Sequence, residues 1–329
     1  MIISRTPFRI SFFGGGTDYP AWYSENPGAV LATTINKYCY ISCRPLPPFF
    51  EHKYRVVYSK VETVKAIDEI QHPVIRSAIN LMDIHEGLEV HHDGDLPAKT
   101  GLGSSSSFSV GMLHTLYALK GIMPTRQQLA LDAIHLERNI LKESVGSQDQ
   151  ILAALGGFNK IDFFNDNTFR ETPITINPER VNELKNHLMF FFTGISRYAS
   201  EIAKTKIKNF PNRKKQLSTM YQMVDESISI LNSKNTSIDQ FGQLLDDSWQ
   251  LKKELSDDVS NSHIDEIYGV ARSAGAIGGK ILGAGGGGFM ILFAKPEHQS
   301  DIKRRLNDLL YVPFDFEHSG SQIILNQRT

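Results

Sequence analysis

The chain has little of anything extreme, and each shortage excludes something. Its 329 residues carry 35 Lys and Arg against 36 Asp and Glu, a formal net charge of −1. So even a balance argues against a general binder of nucleic acid or of a membrane surface. There are two cysteines, Cys39 and Cys43, in the strand-like run KYCYISC with no histidine beside them. Two thiols do not complete a zinc site. They read as reduced core or surface side chains of a cytoplasmic protein. No apolar run is long enough to span a bilayer, and the opening MIISRTPFRISFF lacks the charged, apolar, small-residue order of a secretory signal. There is no internal repeat and no low-complexity segment. G-x-x-x-x-G-K-[ST] is absent, and the glycines near residue 101 do not satisfy G-x-G-x-x-G.

What is present centres on residues 95–121, DLPAKTGLGSSSSFSVGMLHTLYALKG. Gly101-Leu102-Gly103 is a flexible turn. Four serines follow, Ser104 to Ser107, then Val110, Leu113, Leu116 and Tyr117 at helical spacing. A turn opening a helix leaves backbone N–H groups without partners, and the helix dipole makes that end positive. Together they form an anion site, above all for phosphate. Glycine lets the backbone approach closely. Serine hydroxyls serve as caps or as magnesium ligands. Taken alone, the stretch is equally a capped loop before a helix.

Two more glycine clusters flank it. A strand over residues 2–13 runs into Gly14-Gly15-Gly16-Thr17-Asp18, with Arg9 as the nearby cation. This reads either as a plain strand-to-loop turn or as a place of close approach. Residues 278–289 form a third glycine-rich element, joined to a strand at 290–293. Four successive glycines between buried strands are costly in chain entropy, which favours a functional reason. A helix over 125–142, capped by Thr125, carries the stripe Leu129, Ala133, Leu136 and Ile140, with Glu137 beside it. His135 and Arg138 read as surface residues. Asp149 opens the next helix, which ends at Gly156-Gly157. The Pro-rich PLPPFF segment is either a wall for a nucleotide base or a packed loop.

The length suggests two domains, each with its own core. The turn and polar, proline-containing stretch at 165–185 divides residues 1–180 from 181–329. Pattern alone gives strands at 29–34, 39–44, 54–58, 88–92, 158–164, 187–193 and 322–326. It gives further helices at 74–85, 213–232, 238–255, 263–274 and 297–310.

Three glycine-rich elements in this order resemble the kinase superfamily of galactokinase, homoserine kinase, mevalonate kinase and phosphomevalonate kinase, the GHMP kinases. The first family motif reads here as Pro7-Phe8-Arg9, then Gly14-Gly15-Gly16-Thr17-Asp18. The second is matched from Pro97 through Ser105, and the third lies near Gly283–Phe289. Glu137 stands twelve residues before Asp149, as the family's acidic pair does. The resemblance spans nearly the whole chain. The phrases RTPFRISFFGGGTDYP, LPAKTGLGSSSSF and GAGGGGF are similar to the branch acting on a heptose 7-phosphate. Gly15 and Gly16 replace the glutamate and histidine of the galactokinase-type motif. That removes a negative charge and leaves room for a longer, phosphorylated sugar.

The resemblance implies an α+β, two-domain GHMP kinase fold. The first domain would be like a ribosomal-protein domain with a left-handed crossover, the second ferredoxin-like. It implies ATP, Mg2+ and phosphoryl transfer to the anomeric hydroxyl of D-glycero-D-manno-heptose 7-phosphate, in nucleotide-activated heptose biosynthesis. Lys99, Gly101, Leu102, Gly103, Ser104, Ser105, Ser106 and Ser107 would cradle the ATP phosphates. Ser105 and Glu137 would hold magnesium. Asp149 would receive or orient the proton of the attacking hydroxyl, with Arg9 keeping it ionised. Gly14, Gly15, Gly16, Thr17 and Asp18 would meet the sugar, with Gly285 and Gly286 closing from the third loop. Arg197 and Lys99 are candidates for the sugar's own phosphate. The partners would be a small sugar phosphate and ATP, with neither nucleic acid nor membrane; monomer and homodimer both stay open. The same chemistry on fucose, a mevalonate-type alcohol or homoserine is an alternative. So is a non-catalytic sugar and ATP sensor, against which the intact acidic pair argues.

Overall fold

The computed structural model describes residues 1–194 and 199–327. Its strands are β1 (Ile2–Phe13), β2 (Gly28–Pro45), β3 (Tyr54–Val57), β4 (Val61–Val64), β5 (Leu88–Gly94), β6 (Phe158–Phe163), β7 (Phe169–Pro173), β8 (Leu188–Phe192), β9 (Ala276–Ile281), β10 (Phe289–Ala294), β11 (Leu310–Tyr311), β12 (Phe316–Glu317) and β13 (Gln322–Asn326). The helices are α1 (Pro20–Tyr23), α2 (Pro73–Leu81), α3 (Ser104–Leu119), α4 (Arg126–His135), α5 (Gln148–Leu155), α6 (Pro178–His187), α7 (Ala199–Asn209), α8 (Lys214–Asn232), α9 (Asp239–Lys253), α10 (Ser262–Ser273) and α11 (Pro296–Arg305). Among the described residues no helix is long and apolar enough to cross a membrane.

The first sheet runs β13-β1-β2-β5-β3-β4, and the long β2 also pairs with β6 and β12. Among the described residues only β3 and β5 run parallel in this sheet. The second sheet runs β11-β8-β10-β9, all antiparallel. Its strands and helices follow the ferredoxin-like order of strand, helices, two strands, helix, strand.

Residues 29–34 and 39–44, expected as two strands, are one 18-residue strand. Opposite β1 the register jumps from Pro7 with Tyr38 to Phe8 with Ile35. A bulge there absorbs Asn36 and Lys37 without ending the pairing, and Pro7 has no N–H to lose. Gly278 and Gly279, expected in a glycine-rich turn, lie inside β9. A Cβ on Gly278 would sit 1.9 Å from the Gly242 carbonyl of α9, and one on Gly279 2.5 Å from the Ile291 carbonyl of β10. Here glycine serves close packing of backbone on backbone.

β12 and β13 return to the first sheet, β13 pairing with β1. One apolar cluster runs from β1 through Phe241 of α9 to Phe293 of β10. Phe13 meets Phe241 edge-on with centroids 5.1 Å apart, and Phe241 meets Phe293 at 6.1 Å. A second cluster covers the far face of the second sheet. Each fully buried phenylalanine contributes about 2–3 kcal/mol of transfer free energy, so this bridge fixes the two sheets against each other. Helix α3 lies over β1 and β2, with α4 and α5 on its flanks. It is buried on nearly every side, which is why its apolar residues are not confined to one stripe. Its N-terminus therefore cannot shift without disturbing the core.

Candidate active site

The turn before α3 is wound by three left-handed residues, Lys99 (φ 64°), Gly101 (φ 82°) and Gly103 (φ 70°). Gly103 is the N-cap and offers no side-chain acceptor to the first turn. The amides at the helix tip are thus left for an anion. Two bonds hold the turn on β1: Arg9 N donates to Leu102 O at 3.1 Å and Arg9 Nη1 to Gly101 O at 2.7 Å.

Beneath that turn lies the central ion pair. Arg9, 4% exposed, donates Nε to Asp149 Oδ1 and Nη2 to Asp149 Oδ2, both at 2.7 Å. This is the bidentate geometry that matches guanidinium to carboxylate. A Cβ on Gly103 would come within 3.3 Å of both side chains, so the pair sits under the helix tip. Asp149 is in the first turn of α5 and keeps 26% of its side chain exposed. It is the open member of the pair.

Asp18 is buried behind it. Its oxygens accept from Gly16 N at 2.9 Å and Gln148 Nε2 at 2.8 Å, while its carbonyl accepts from Ser147 N at 3.0 Å. Burial raises its pKa above the ordinary range, and the Asp149 charge adds to that. A Cβ on Gly146 would fall 1.9 Å from Asp18 Oδ2, so only glycine fits there.

Glu137 reaches the other side of the helix tip. It stands in a π-helical turn, Leu136–Ile140, closing α4; such turns often mark functional positions. It is fully buried, and Oε2 accepts from Ser106 Oγ at 3.0 Å and from Gln150 Nε2. Oε1 has no partner among the described residues. Burial pushes this carboxyl up to about 7, despite hydrogen bonds that favour its charged form. Among the described residues no three His, Cys, Asp or Glu side chains gather as a metal site.

The third glycine loop, residues 282–288, docks on the first turn. A Cβ on Gly101 would lie 2.4 Å from Leu282 O, one on Gly283 2.5 Å from Gly101 Cα, and one on Gly288 2.2 Å from Thr100 O. Phe289 N donates to Thr100 O at 3.1 Å. Lys252 of α9 pins the loop, with Nζ 2.7 Å from both Ile281 O and Gly283 O.

Several expected contacts are placed otherwise. The serine that bonds Glu137 directly is Ser106, through Oε2, while Ser105 is exposed on the helix tip. Thr17 is fully buried, and its hydroxyl bonds Gly14 O and Ala29 O at 2.8 Å, so it shapes the turn. Gly14 packs on the Ala29 carbonyl, which a Cβ would meet at 1.9 Å, and Gly16 on Leu217 at 3.0 Å. Of the three, Gly15 has the most open space among the described residues, with Ser11 Oγ at 3.9 Å. Gly285 packs on Val259, and Gly286 N donates to Val259 O at 2.9 Å, so this part of the loop is tied to the turn after α9. Lys99 is exposed beside the loop. Arg197 lies outside the described residues. Arg138 is half-buried rather than fully exposed: it donates to Ser147 Oγ at 2.7 Å and Tyr23 Oη at 2.9 Å. Cys39 and Cys43 are free and buried, as expected.

The sequence reading missed Gln148 and Gln150, which flank Asp149 and seat Asp18 and Glu137. It also missed three buried lysines, Lys206, Lys252 and Lys280. A signal existed for two of them. Lys206 falls on the stripe of Ile202, Ala203 and Phe210, and Lys252 on that of Leu245, Ser248 and Trp249, where a solvated lysine is out of place.

Comparison with known proteins places the chain as a whole. The family model described as "GHMP kinases N terminal domain" matches residues 63–157, and "GHMP kinases C terminal" matches residues 229–312. Together they cover more than half of the chain. The chain is 29% identical over 317 residues to a D-glycero-alpha-D-manno-heptose 7-phosphate kinase of Campylobacter jejuni, covering 93% of each. It is 26% identical over 257 residues to a mevalonate kinase of Thermococcus sibiricus, covering 75% of this chain and 72% of that one. Among solved structures, a D-glycero-D-manno-heptose 1-phosphate kinase from Bacteroides thetaiotaomicron superposes with TM-score 0.82 over all of both chains at 21% identity.

Proposed function

The chain belongs to the GHMP kinases, and from that premise we propose that it moves the terminal phosphoryl group of ATP to the anomeric hydroxyl of D-glycero-D-manno-heptose 7-phosphate. The observation that carries the reaction type is the Arg9–Asp149 pair directly under the glycine-wound tip of α3. The sugar is supported by the 29% identity to the heptose 7-phosphate kinase over 93% of the chain. The open side of Gly15 suits a bulky acceptor.

The amides at the start of α3, with Ser104 and the third glycine loop beside them, receive the polyphosphate. The acceptor oxygen lies against Asp149, whose carboxylate takes or orients its proton. That oxygen forms the new bond to the γ-phosphorus. The electron pair of the broken bond leaves on the β-phosphate of ADP. The transition state is loose, so alignment and charge matter more than strong base catalysis. Arg9 fixes the orientation of Asp149 through two hydrogen bonds and offsets charge on the transferring group. Asp18 borders the sugar; each of its oxygens retains a further acceptor position beyond Gly16 N and Gln148.

The residues fit a magnesium ion. An unpartnered, buried Glu137 Oε1 beside a phosphate loop suits a hard cation, and one carboxylate with ATP oxygens is a usual magnesium environment. Glu137 and the exposed Ser105 hydroxyl would hold it, and Ser106 would fix Glu137 through Oε2. When bound, the ion supplies neutralisation of the phosphate oxygens.

The test is ATP consumption with purified protein over a panel of heptose 7-phosphate, heptose 1-phosphate, free heptose, fucose, mevalonate and homoserine. Turnover selective for the 7-phosphate, with a 1,7-bisphosphate product, is the expected result. Preference for an unphosphorylated acceptor would overturn the substrate assignment, and no turnover on any member would favour a sensor.

A further inference from the structure

Four basic side chains are buried around the acceptor end of the site: Arg9, Lys206, Lys252 and Lys280. Burying a cation is costly unless its N–H groups are bonded. For three of the four they are. Arg9 is engaged by Asp149 and the Gly101 carbonyl. Lys252 donates to the carbonyls of Ile281 and Gly283, and Lys280 Nζ to Phe12 O at 2.7 Å.

Lys206 differs. It is 3% exposed, and its ammonium lies 5.1 Å from the centre of the Tyr19 ring. Among the described residues no side chain or carbonyl hydrogen-bonds it. Its remaining neighbours act through charge alone: Asp18 and Asp149 attract it, and Lys252 and Lys280 are repelled by it. Burial lowers its pKa, and the two carboxylates push back. Packing does not call for a lysine here, because the neighbouring stripe positions of α7 are apolar.

Resting on the reading of this site as one for a polyhydroxylated acceptor, we propose that Lys206 is a substrate-contacting residue that donates to an acceptor hydroxyl oxygen between Asp18 and Asp149. A hydroxyl both donates and accepts. Carboxylates on one side and an ammonium on the other therefore match a run of sugar hydroxyls in both senses. Lys206 is then also a determinant of which acceptors are taken, since a hydroxyl missing at that point leaves a buried ammonium unpaired.

The experiment compares wild type, Lys206→Met and Lys206→Gln on the acceptor that the wild type phosphorylates and on its monodeoxy analogues. In Lys206→Met the KM for acceptor should rise by about tenfold to a hundredfold, the worth of a hydrogen bond to a charged group, with the KM for ATP unchanged. Lys206→Gln, which keeps a donor, should recover part of the loss. One monodeoxy analogue should be penalised in wild type and not in Lys206→Met. Lys206→Met should keep binding of an ATP analogue, even where leaving Asp18 and Asp149 without the ammonium lowers the melting temperature. Equal penalties for every analogue in both proteins would overturn the proposal. So would a lowered melting temperature with loss of ATP-analogue binding, which would make the ammonium a support of the fold. A wild type that prefers a non-sugar alcohol would overturn the proposed reaction, and Lys206 would still be judged on that acceptor's own oxygens.

Discussion

Arg9 and Asp149 are 140 residues apart in sequence and meet through two hydrogen bonds of 2.7 Å under the tip of α3. Arg9 is buried and Asp149 is partly open. The guanidinium thus faces the core while one side of the carboxylate faces the space where an acceptor hydroxyl would lie. The pair holds a charged acceptor group in fixed orientation without taking it out of reach.

The first prediction concerns that carboxylate. Asp149→Asn keeps the shape and removes the proton acceptor and the charge opposite Arg9. Turnover should fall by roughly 10²–10⁴-fold, and binding of a non-hydrolysable ATP analogue should be retained. Wild-type turnover in this variant, measured by steady-state kinetics, would remove Asp149 from the reaction.

The two central serines should separate. Ser105→Ala removes an exposed hydroxyl at the helix tip, and it should raise the magnesium concentration needed for half-maximal rate with no change in stability. Ser106→Ala removes the buried bond to Glu137 Oε2 and should cost about 1 kcal/mol of stability. Magnesium titrations and thermal melts of both variants decide it; the reverse assignment of effects would exchange the two roles.

Gly283→Ala should damage the nucleotide site. Its φ is 69°, and the new Cβ would stand 2.5 Å from Gly101 Cα. The left-handed conformation alone costs roughly 1–2 kcal/mol, and the contact forces the two glycine loops apart. The expected result is a lower melting temperature and a raised KM for ATP. An unaltered KM for ATP would mean that the third loop does not shape the phosphate site.

Glu137 gives a pH signature. Its folded pKa of about 7 lies above the ordinary glutamate value. Between the two values the unfolded chain releases a proton that the folded chain keeps, so stability falls as pH rises through this window and stays lower above it. Glu137→Gln should therefore be more stable than wild type at pH 8, by up to about 3 kcal/mol from a shift of that size. The two should converge near pH 4. Thermal melts of the nucleotide-free protein across pH 4 to 8 test this, and a constant difference at all pH values would contradict the buried, protonated carboxyl.

Much of this was legible in the chain because it is local. The glycine runs, the Thr125 cap on α4, the periodicity of α8 and α9, and the acidic pair at a twelve-residue spacing all depend on neighbours in sequence. The bond from Ser106 to Glu137 was not legible, since it depends on the rotation of a helix against another element. The two glutamines around Asp149 were readable only as polar residues of a first turn.

The sequence by itself determined where the backbone turns tightly, where the helices start, and which side chains bring charge to a phosphate loop. Propensity, capping and periodicity act over a few residues, so a linear reading reaches them. The tertiary structure alone decided that β13 closes against β1, that Gly101 and Gly283 touch, and that Lys206, Lys252 and Lys280 are drawn inside. Those outcomes come from burial and from contacts between distant segments. The free energy of a buried charge depends on what surrounds it in space, and adjacent letters do not record that.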